Sequence, residues 1–354
     1  MSANVFVILR NHAPQLREIT VLHVRTPLLK WSIRVPKMKA IIIDGYGGVD
    51  QLHLRELPDP RPQADEVLVR VRAAGVNPVD WKIRQGQLRF ILRPKSPFVP
   101  GGDIAGEVVS TGPEATEFKT SDPVVGFVEL KRGGGYAELA VAKKTAVALK
   151  SPSLSFVEAA SLPIAGCTAV QALRDLGKLS KGTNALILGG AGGVGHFAVQ
   201  IAKALGAKIS ATCGPANIAF VQSLGADHVI DYSGKDFMAG LDRFDVVFDA
   251  VGKSSFVSCR PLLAPGGTYV TTLPTPSLFF WGGVRSIAGI LRNAKRARGI
   301  LVRPSGKDLA YLCQLADESK LRPTVSLTLS PDRAAEAHEA SEAGHTRGKI
   351  VLEV

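Results

Sequence analysis

The sequence has little of what marks disulfide-bonded, zinc-ribbon or membrane-spanning proteins. Its four cysteines, Cys167, Cys213, Cys259 and Cys313, are far apart, and none forms a CxxC pair or has a histidine partner close in sequence. This spacing excludes a disulfide scaffold and a zinc ribbon and indicates a reducing compartment. No apolar run reaches the roughly 20 residues of a membrane-spanning helix. A chain of 354 residues with 21% charged and 45% apolar residues is therefore predicted to be a soluble intracellular protein of two domains.

Acidic side chains are nearly absent from residues 1–37, where six basic residues stand against Glu18 alone, in a chain of net charge +12. An arginine-bearing, acid-poor leader is typical of an organelle transit peptide, and a poorly ordered extension is the other interpretation. The cytoplasm is the default location, and a mitochondrion or a chloroplast follows from the first interpretation. We treat these residues as a basic extension that precedes the folded part.

No acidic residue occurs between Asp249 and Asp308, a stretch that contains the basic run RSIAGILRNAKRARGILVR. We favour a solvated helix face beside a site for a phosphate-bearing ligand. RNA or an anionic membrane surface would also be attracted to such a charge, so peripheral membrane contact stays open as an alternative. DNA is not an expected partner.

Hydrophobic patterning divides the rest of the chain into three parts. Residues 38–160 consist of short β-like runs between glycine and proline turns, such as EVLVRVRAAG and DPVVGFV. In residues 161–303 strands alternate with helices, and this alternation predicts a parallel sheet covered by helices on both faces. Residues 304–354 add a helix, a strand, a helix and a last strand. The pattern predicts an α/β protein with a β-rich first domain and a doubly wound second domain.

The segment NALILGGAGGVGHFAVQIAKALGA places the pattern Gly190-x-Gly192-x-x-Gly195 between an apolar strand and an amphipathic helix. In such a turn the glycines allow a tight bend, the close approach of a pyrophosphate and the close packing of helix on strand. The first amides of the helix and its dipole then face the phosphates. Gly193 and Val194 lie in the same turn, so they are also candidate cofactor contacts.

The strand that follows ends at ATCGPAN, and no acidic residue lies between Gly195 and Asp227. An NAD site normally has Asp or Glu there to bind the ribose 2′-hydroxyl, and its absence removes the repulsion that excludes a 2′-phosphate. The sequence therefore favours NADP over NAD, although that loop contains no arginine or lysine. Asn217 and Tyr232 are the remaining candidates for ribose contacts, and Cys213 ends the strand.

The stretch AAGVNPVDWKIR joins the end of a predicted strand to an Asn-Pro pair and to three further polar or aromatic residues, Asp80, Trp81 and Lys82. Pro78 lacks an amide hydrogen and restricts Asn77 to an extended conformation, so regular structure is expected to end here in a polar loop. Asp80 is expected to stabilise that turn.

The order of these parts resembles the medium-chain dehydrogenase/reductase superfamily over residues 38–354. The similarity is carried by NPVDWKI, AGEVV, AASLPIAGCTAVQAL, GGVGHFAVQIAK, TCGPANIAFVQSLGAD and GHTRGKIV. Zinc-dependent members have a cysteine at the position of Asn77 and a Gly-His-Glu segment where this chain has Gly102 and Asp103. Asparagine is not a usual zinc ligand, and the family's segment of four close cysteines is absent, so no metal is expected. The chain looks most like the zinc-independent quinone oxidoreductase and enone reductase branch.

This resemblance implies a GroES-like catalytic domain over 38–160, a Rossmann NADP-binding domain over 161–303 and a return of 304–354 to the first domain. It implies hydride transfer from NADPH to a small hydrophobic quinone or to the C=C bond of an α,β-unsaturated carbonyl. A homodimer is expected, paired through the edge segment GILVR at 299–303. The alternative is a nucleotide-binding protein with weak catalysis that associates with RNA or an anionic membrane.

The resemblance also implies roles for single residues. Asn77 would hydrogen bond to the substrate carbonyl or the nicotinamide ribose, and Lys82 would supply positive charge. Thr168 is expected near the nicotinamide or the phosphates, or else as a helix hydroxyl, and Lys349 would close the site from the C-terminal segment. His196 is expected to be a first-turn helix residue and not an acid catalyst. Further candidate cofactor contacts follow core strands: Val251, Gly252, Thr272 and Leu273.

Overall fold

The computed structural model describes residues 36–92, 96–234, 237–273 and 294–354. One folded unit runs from Lys37 to Val354. The predictions made for residues 1–35 and for the first part of the basic run, 285–293, lie outside the described residues. Within the described ranges, no helix is both long enough and apolar enough to cross a bilayer.

Two sheets and a hairpin contain the strands of the described chain. These strands are β1 (Lys37–Ile43), β2 (Leu52–Pro58), β3 (Glu66–Val76), β4 (Asp103–Thr111), β5 (Pro123–Phe127), β6 (Leu139–Lys143), β7 (Val147–Leu149), β8 (Asn184–Leu188), β9 (Lys208–Cys213), β10 (His228–Asp231), β11 (Phe244–Asp249), β12 (Leu263–Thr271), β13 (Arg296–Gly299), β14 (Val325–Leu329) and β15 (Lys349–Glu353). The helices are α1 (Pro78–Arg84), α2 (Phe156–Ala160), α3 (Pro163–Val170), α4 (Gly195–Ala204), α5 (Ile218–Ser223), α6 (Phe256–Cys259), α7 (Gly306–Asp317) and α8 (Ala334–Ala343).

The first sheet is largely antiparallel, with the strand order β14-β15-β3-β4-β5-β7 and with β6 paired to β3. Strands β1 and β2 form the separate antiparallel hairpin. The long strand β3 is apolar and buried along most of its length, as a central strand must be. Strand β15 pairs antiparallel with it, with Ile350 opposite Val76. The end of the chain therefore completes the sheet that the first domain begins.

The second sheet has six parallel strands in the order β10-β9-β8-β11-β12-β13. Asp249 lies opposite Leu188 on one side and Thr271 on the other, and Cys213 lies opposite Asp231. The carboxyl ends of these strands are thus level, which creates the edge where doubly wound sheets bind ligands. The predicted α/β class, with a β-rich domain and a Rossmann-type parallel sheet, is confirmed.

The prediction of a loop after Asn77 is wrong, because Pro78 begins the helix α1. Proline is well suited to the first position of a helix, where its missing amide hydrogen would have had no partner in the helix anyway. Asn77 keeps the extended conformation expected before proline and becomes the residue that precedes the helix. The prediction assumed that Pro78 ends regular structure, whereas in the structure Pro78 begins a helix.

A shared hydrophobic core joins the two sheets. It contains Ala73 and Val125 from the first sheet, Ile187 and Phe248 from the second, and Leu312 from α7. Helix α3 is buried along its whole length within this core. The two domains are therefore held together by continuous apolar packing.

Among the described residues, β10 and β13 are the edge strands of the second sheet, and β13 ends at Gly299. The segment predicted as the dimer edge, 299–303, therefore overlaps this strand at one residue and otherwise follows it.

Candidate active site

The end of β3 leads into a buried cluster of Asn77, Asp103 and Lys349, which are 2%, 0% and 3% exposed. Asn77 Nδ2 donates to Asp103 Oδ2 at 2.8 Å, and Lys349 Nζ lies 3.4 Å from the same oxygen. Lys349 also donates to Asn77 Oδ1 and, at 3.1 Å, to the Val76 carbonyl. Asp103 Oδ1 accepts the amide hydrogen of Ile164 at 2.8 Å. The cluster therefore ties together β3, β4, β15 and α3.

A second buried carboxylate, Asp80, adjoins this cluster. Its Oδ2 accepts the backbone amide of Asn77 at 2.8 Å and the hydroxyl of Tyr136 at 3.1 Å. Its Oδ1 has no hydrogen-bond partner among the described residues. Burial, with a smaller contribution from the Asp103 charge, raises the pKa of Asp80 to about 7, although the Asn77 amide, Lys349 and Tyr136 oppose the shift. Asp80 therefore keeps its proton over most of the acidic range.

The raised pKa of Asp80 predicts a pH dependence of folding. The unfolded chain loses this proton near pH 4 and the folded chain near pH 7, so the native state binds more protons in that window. The contribution of Asp80 to stability is thus full below about pH 4 and falls as the pH rises to about 7, by up to about 1.4 kcal/mol per pH unit. We expect the difference in unfolding free energy between the wild type and Asp80→Asn to fall over that range.

Urea titrations of both proteins at a series of pH values measure this difference. The subtraction cancels the buried histidines His196 and His338, whose pKa values are lowered to about 4 and about 3 mainly by burial. Those two histidines make the unfolding free energy rise with pH, because the unfolded chain binds their protons at a higher pH than the folded chain does. A difference between the two proteins that does not change with pH would contradict the assignment to Asp80.

Lys82 lies on α1 and is partly buried. Its Nζ lies 5.4 Å from the centre of the Trp81 ring and makes no hydrogen bond or ion pair with any residue in the described ranges. Trp81 is held in place because its Nε1 donates to Ser341 Oγ of α8 at 3.2 Å. Burial lowers the pKa of Lys82. The ammonium is therefore positioned by an aromatic surface and keeps its three donors for a ligand.

The glycine turn between β8 and α4 has the geometry of a phosphate cradle. A Cβ on Gly195 would lie 2.0 Å from the Gly189 carbonyl oxygen, so only glycine allows helix and strand to approach this closely. A Cβ on Gly192 would meet nothing closer than 3.5 Å and would extend into open space. The amides of Gly193 and Val194 donate no hydrogen bond to a described residue. Free amides at the start of a helix provide a binding site for an anion such as a pyrophosphate.

Gly190 forms the floor of this turn. Its amide donates to the Thr212 carbonyl at 2.8 Å, and a Cβ there would come within 3.0 Å of Ala211 and 3.2 Å of Val221. The turn is thereby fixed to β9, the strand whose end carries the predicted ribose contacts.

The candidate contacts that follow β11 and β12 lie together at the carboxyl edge. Asp249 accepts the amides of Val251 and Gly252 at 3.2 and 2.8 Å, and its own carbonyl accepts the amide of Thr272 at 3.1 Å. Gly252 has a φ of +77°, and a Cβ there would lie 2.6 Å from Leu273. A Cβ on Gly189 would lie 2.2 Å from Val251 Cγ2, so this edge adjoins the glycine turn.

The end of β9 carries Cys213, which is buried, and the loop after it carries Asn217. Tyr232 donates its amide to the Cys213 carbonyl at 3.1 Å, and its half-exposed hydroxyl lies beside Gly214. Asn217 Oδ1 accepts a hydrogen bond from Arg347 Nε at 2.7 Å. The three predicted residues are therefore neighbours at the position expected for a ribose.

Sequence reasoning missed two charged residues at this position. Arg347 comes from the segment before β15, 130 residues after Asn217. Asp231 ends β10 opposite Cys213, and its Oδ1 accepts the amide of Ser233 at 2.9 Å. The sequence did show that Asp231 ends a predicted strand and that Arg347 precedes one. The order of the strands in the sheets, which the sequence did not show, brings both residues to the loop.

Two other predicted residues lie inside helices. Thr168 Oγ1 donates to the Ile164 carbonyl at 2.6 Å, as a helix hydroxyl does, so its hydrogen is used within α3. His196 lies in the first turn of α4 and is fully buried, with Nδ1 3.0 Å from the Gly192 carbonyl and Nε2 accepting the Thr324 amide at 3.4 Å. With its pKa lowered to about 4 by burial, this imidazole is neutral at neutral pH.

Comparison with known proteins agrees with this architecture. The model of the alcohol dehydrogenase GroES-like domain matches residues 63–153, and that of the zinc-binding dehydrogenase family matches 224–352. The chloroplast envelope quinone oxidoreductase homolog of Arabidopsis thaliana is 35% identical over 326 residues, covering 89% of this chain and 98% of the relative. The chain belongs to the medium-chain dehydrogenase/reductase superfamily. The resemblance inferred from the sequence is thereby confirmed, and the protein is an oxidoreductase.

Two further members of the superfamily illustrate its range. The chloroplastic NADPH-dependent alkenal/one oxidoreductase of Arabidopsis thaliana is 34% identical over 333 residues, covering 90% of this chain and 80% of the relative. The solved structure of the quinone oxidoreductase from Coxiella burnetii has a TM-score of 0.79 and 35% identity, covering 90% of this chain and all of the other. This medium-chain oxidoreductase is thus similar over most of its length to proteins named for quinone and alkenal oxidoreduction, and it shares the fold of the quinone oxidoreductase.

Proposed function

We propose that this protein is an NADPH-dependent, zinc-independent reductase of quinones or of the C=C bond of α,β-unsaturated carbonyls. The observation that carries the proposal is a contact between the glycine turn and the buried cluster. A Cβ on Gly193 would lie 3.4 Å from Lys349 Cδ, and the ammonium of Lys349 binds Asn77 and Asp103. The phosphate cradle and the polar end of β3 are therefore adjacent.

Zinc independence is supported by the chemistry of the side chains at the family's metal position. Asn77 and Asp103 offer an amide and a carboxylate, and both are already bonded to the Lys349 ammonium. A cation cannot share that position with an ammonium, and zinc prefers a tetrahedral set of Cys, His and carboxylate ligands. The described residues contain no group of three or more such ligands. These residues do not fit a zinc ion.

The residues around the glycine turn fit a dinucleotide. The cradle would hold the pyrophosphate at Gly192, Gly193 and Val194, and the edge formed by Val251, Gly252, Thr272 and Leu273 would contact the nicotinamide half. A bound nicotinamide cofactor supplies the hydride. The chain's own contribution is to orient the substrate and to stabilise the negative charge that develops on its carbonyl oxygen.

Lys82 is the residue that we propose for this electrostatic role. The N–H groups of its ammonium make no hydrogen bond to a described residue, whereas both polar atoms of the Asn77 side chain are hydrogen bonded. The bond from Asn77 Nδ2 to the Gly75 carbonyl is 3.5 Å long and is the one that a ligand oxygen would replace. Asn77 would then contact cofactor or substrate while Asp103 and Lys349 fix the plane of its amide.

The proposal is tested with purified protein and NADPH, with 9,10-phenanthrenequinone and 1-octen-3-one as substrates, and with metal analysis of the same sample. We expect NADPH oxidation with at least one of them and no stoichiometric zinc. Lys82→Met is expected to lower turnover by about tenfold or more with an unchanged melting temperature. The control Lys119→Met removes an exposed lysine and should retain full turnover.

Three results would each overturn a part of the proposal. Absence of turnover with both substrates would contradict the reductase assignment. One zinc ion per chain would contradict zinc independence. Full turnover of Lys82→Met would remove that lysine from the reaction.

The homodimer and the organelle location remain predictions. The chloroplast names of these relatives favour the organelle option, and the small hydrophobic substrate follows from their quinone and alkenal names. The RNA or membrane alternative rests on the basic run, and relatives that are oxidoreductases over nearly their whole length do not favour it.

A further inference from the structure

Arg347 reaches the loop at which a dinucleotide's adenosine ribose is expected. Its Nε donates to Asn217 Oδ1 at 2.7 Å and its Nη2 to the Ala216 carbonyl at 3.1 Å. The guanidinium also lies over the Phe220 ring, 5.2 Å from its centre. Two of the five guanidinium N–H groups are used, so three remain for a ligand.

The backbone on the C-terminal side of Arg347 is fixed to the glycine turn. The Gly348 amide donates to the Ala191 carbonyl at 2.9 Å, and the Lys349 amide donates to Thr324 at 2.8 Å. Gly348 has a φ of +67°, and a Cβ there would lie 2.2 Å from the Thr324 carbonyl. The arginine is therefore held between the phosphate cradle and the loop after β9, and not carried by a freely moving segment.

The charge of this loop comes from Arg347. The loop's own residues, Gly214 to Asn217, are uncharged. The carboxylate of Asp231 ends the neighbouring strand, but one of its oxygens already accepts a backbone amide. A site with one arginine whose outer donors are free has the charge and shape to bind a phosphate monoester.

We propose that Arg347 binds the 2′-phosphate of NADPH and so determines the preference for NADPH over NADH. The inference rests on the proposed function, because it assumes that the glycine turn holds a nicotinamide dinucleotide. The loop after β9 contains no basic residue, and Arg347, 130 residues after Asn217, would supply the positive charge in its place. Arg347 is a binding residue here and takes no part in the transfer of hydride.

Binding measurements without turnover test this assignment. Calorimetric titrations of the wild type, Arg347→Gln and Arg347→Lys would use NADPH, NADH, 2′,5′-ADP and 5′-AMP. We expect Arg347→Gln to weaken NADPH and 2′,5′-ADP by about tenfold or more, since a charge-assisted bidentate pair is lost, and to change NADH and 5′-AMP less than twofold. Arg347→Lys should bind NADPH and 2′,5′-ADP with affinities between those of the wild type and Arg347→Gln, because lysine keeps the charge and lacks the planar guanidinium group.

The control Arg322→Gln removes another exposed arginine and should leave all four affinities unchanged. If the wild type prefers NADPH and Arg347→Gln keeps that preference, the role of Arg347 is wrong while the proposed function stands. If Arg347→Gln weakens all four ligands equally, Arg347 supports the loop and does not read the phosphate. If the wild type itself binds NADH more tightly, the NADPH assignment fails, and the Asp231 carboxylate becomes the candidate ribose contact.

Discussion

Lys349→Met is expected to lower the unfolding free energy by about 3–5 kcal/mol, because it leaves the fully buried Asp103 carboxylate without its cation. The change also removes the hydrogen bonds from Lys349 to the Val76 carbonyl and to Asn77. Burial already raises the pKa of Asp103, and the Lys349 ammonium opposes that shift. Without the ammonium, Asp103 must be protonated or expose itself to water. Urea denaturation followed by circular dichroism measures the loss.

The double variant Lys349→Met/Asp103→Asn separates the loss of the ion pair from general disruption of the core. A neutral amide at 103 no longer needs a cation, so we expect the double variant to be more stable than Lys349→Met alone. A double variant that is less stable by the sum of both single changes would mean that the two side chains act independently. A loss below about 1 kcal/mol for Lys349→Met would show that the pair behaves as an exposed one.

Gly195→Ala is expected to be the most damaging change in the nucleotide-binding turn. Its Cβ would lie 2.0 Å from the Gly189 carbonyl oxygen and 3.0 Å from Gly190, and both contacts are to backbone. Relief requires α4 to move away from β8, so we expect a loss of about 3 kcal/mol or more together with loss of dinucleotide binding. Thermal melting and NADPH titration measure the two effects.

The matched variant is Gly192→Ala, in the same turn. Its Cβ has no neighbour within 3.4 Å, so the fold should accept it with a change in melting temperature of a few degrees at most. The added methyl group would occupy the cradle itself, and we expect dinucleotide affinity to fall by about tenfold or more. Equal stability of Gly195→Ala and the wild type would contradict the close-packed turn, and unchanged affinity of Gly192→Ala would contradict the cradle.

The parts of this protein that could be predicted from sequence are those whose causes are local. The glycine turn lies between an apolar strand and an amphipathic helix, and both signals occur within one short segment. Alternation of strands and helices likewise gave the parallel sheet. Pro78 shows the limit of local reasoning, since the same residue ends one element and begins the next, and only the packing of α1 against α8 decides the outcome.

The candidate site depends on contacts that no local pattern contains. Asp103 was identified, together with Gly102, in the segment that corresponds to the family's Gly-His-Glu, but its cation comes from position 349. Arg347 reaches the loop after β9 from 130 residues away. In both cases the pairing of β15 with β3 brings the charge to its place, and the register of that pairing cannot be read from either strand alone.

The return of β15 to the first sheet also has a consequence for biosynthesis. Strand β3 leaves the ribosome early, yet Lys349, the first residue of its partner strand β15, is made 272 residues after Asn77. The strands of the second sheet among the described residues lie between residues 184 and 299, so all of them are made before β15. The domain that is synthesised first is therefore completed last, and a chain truncated before residue 347 would lack the strand that pairs with β3 in the first sheet.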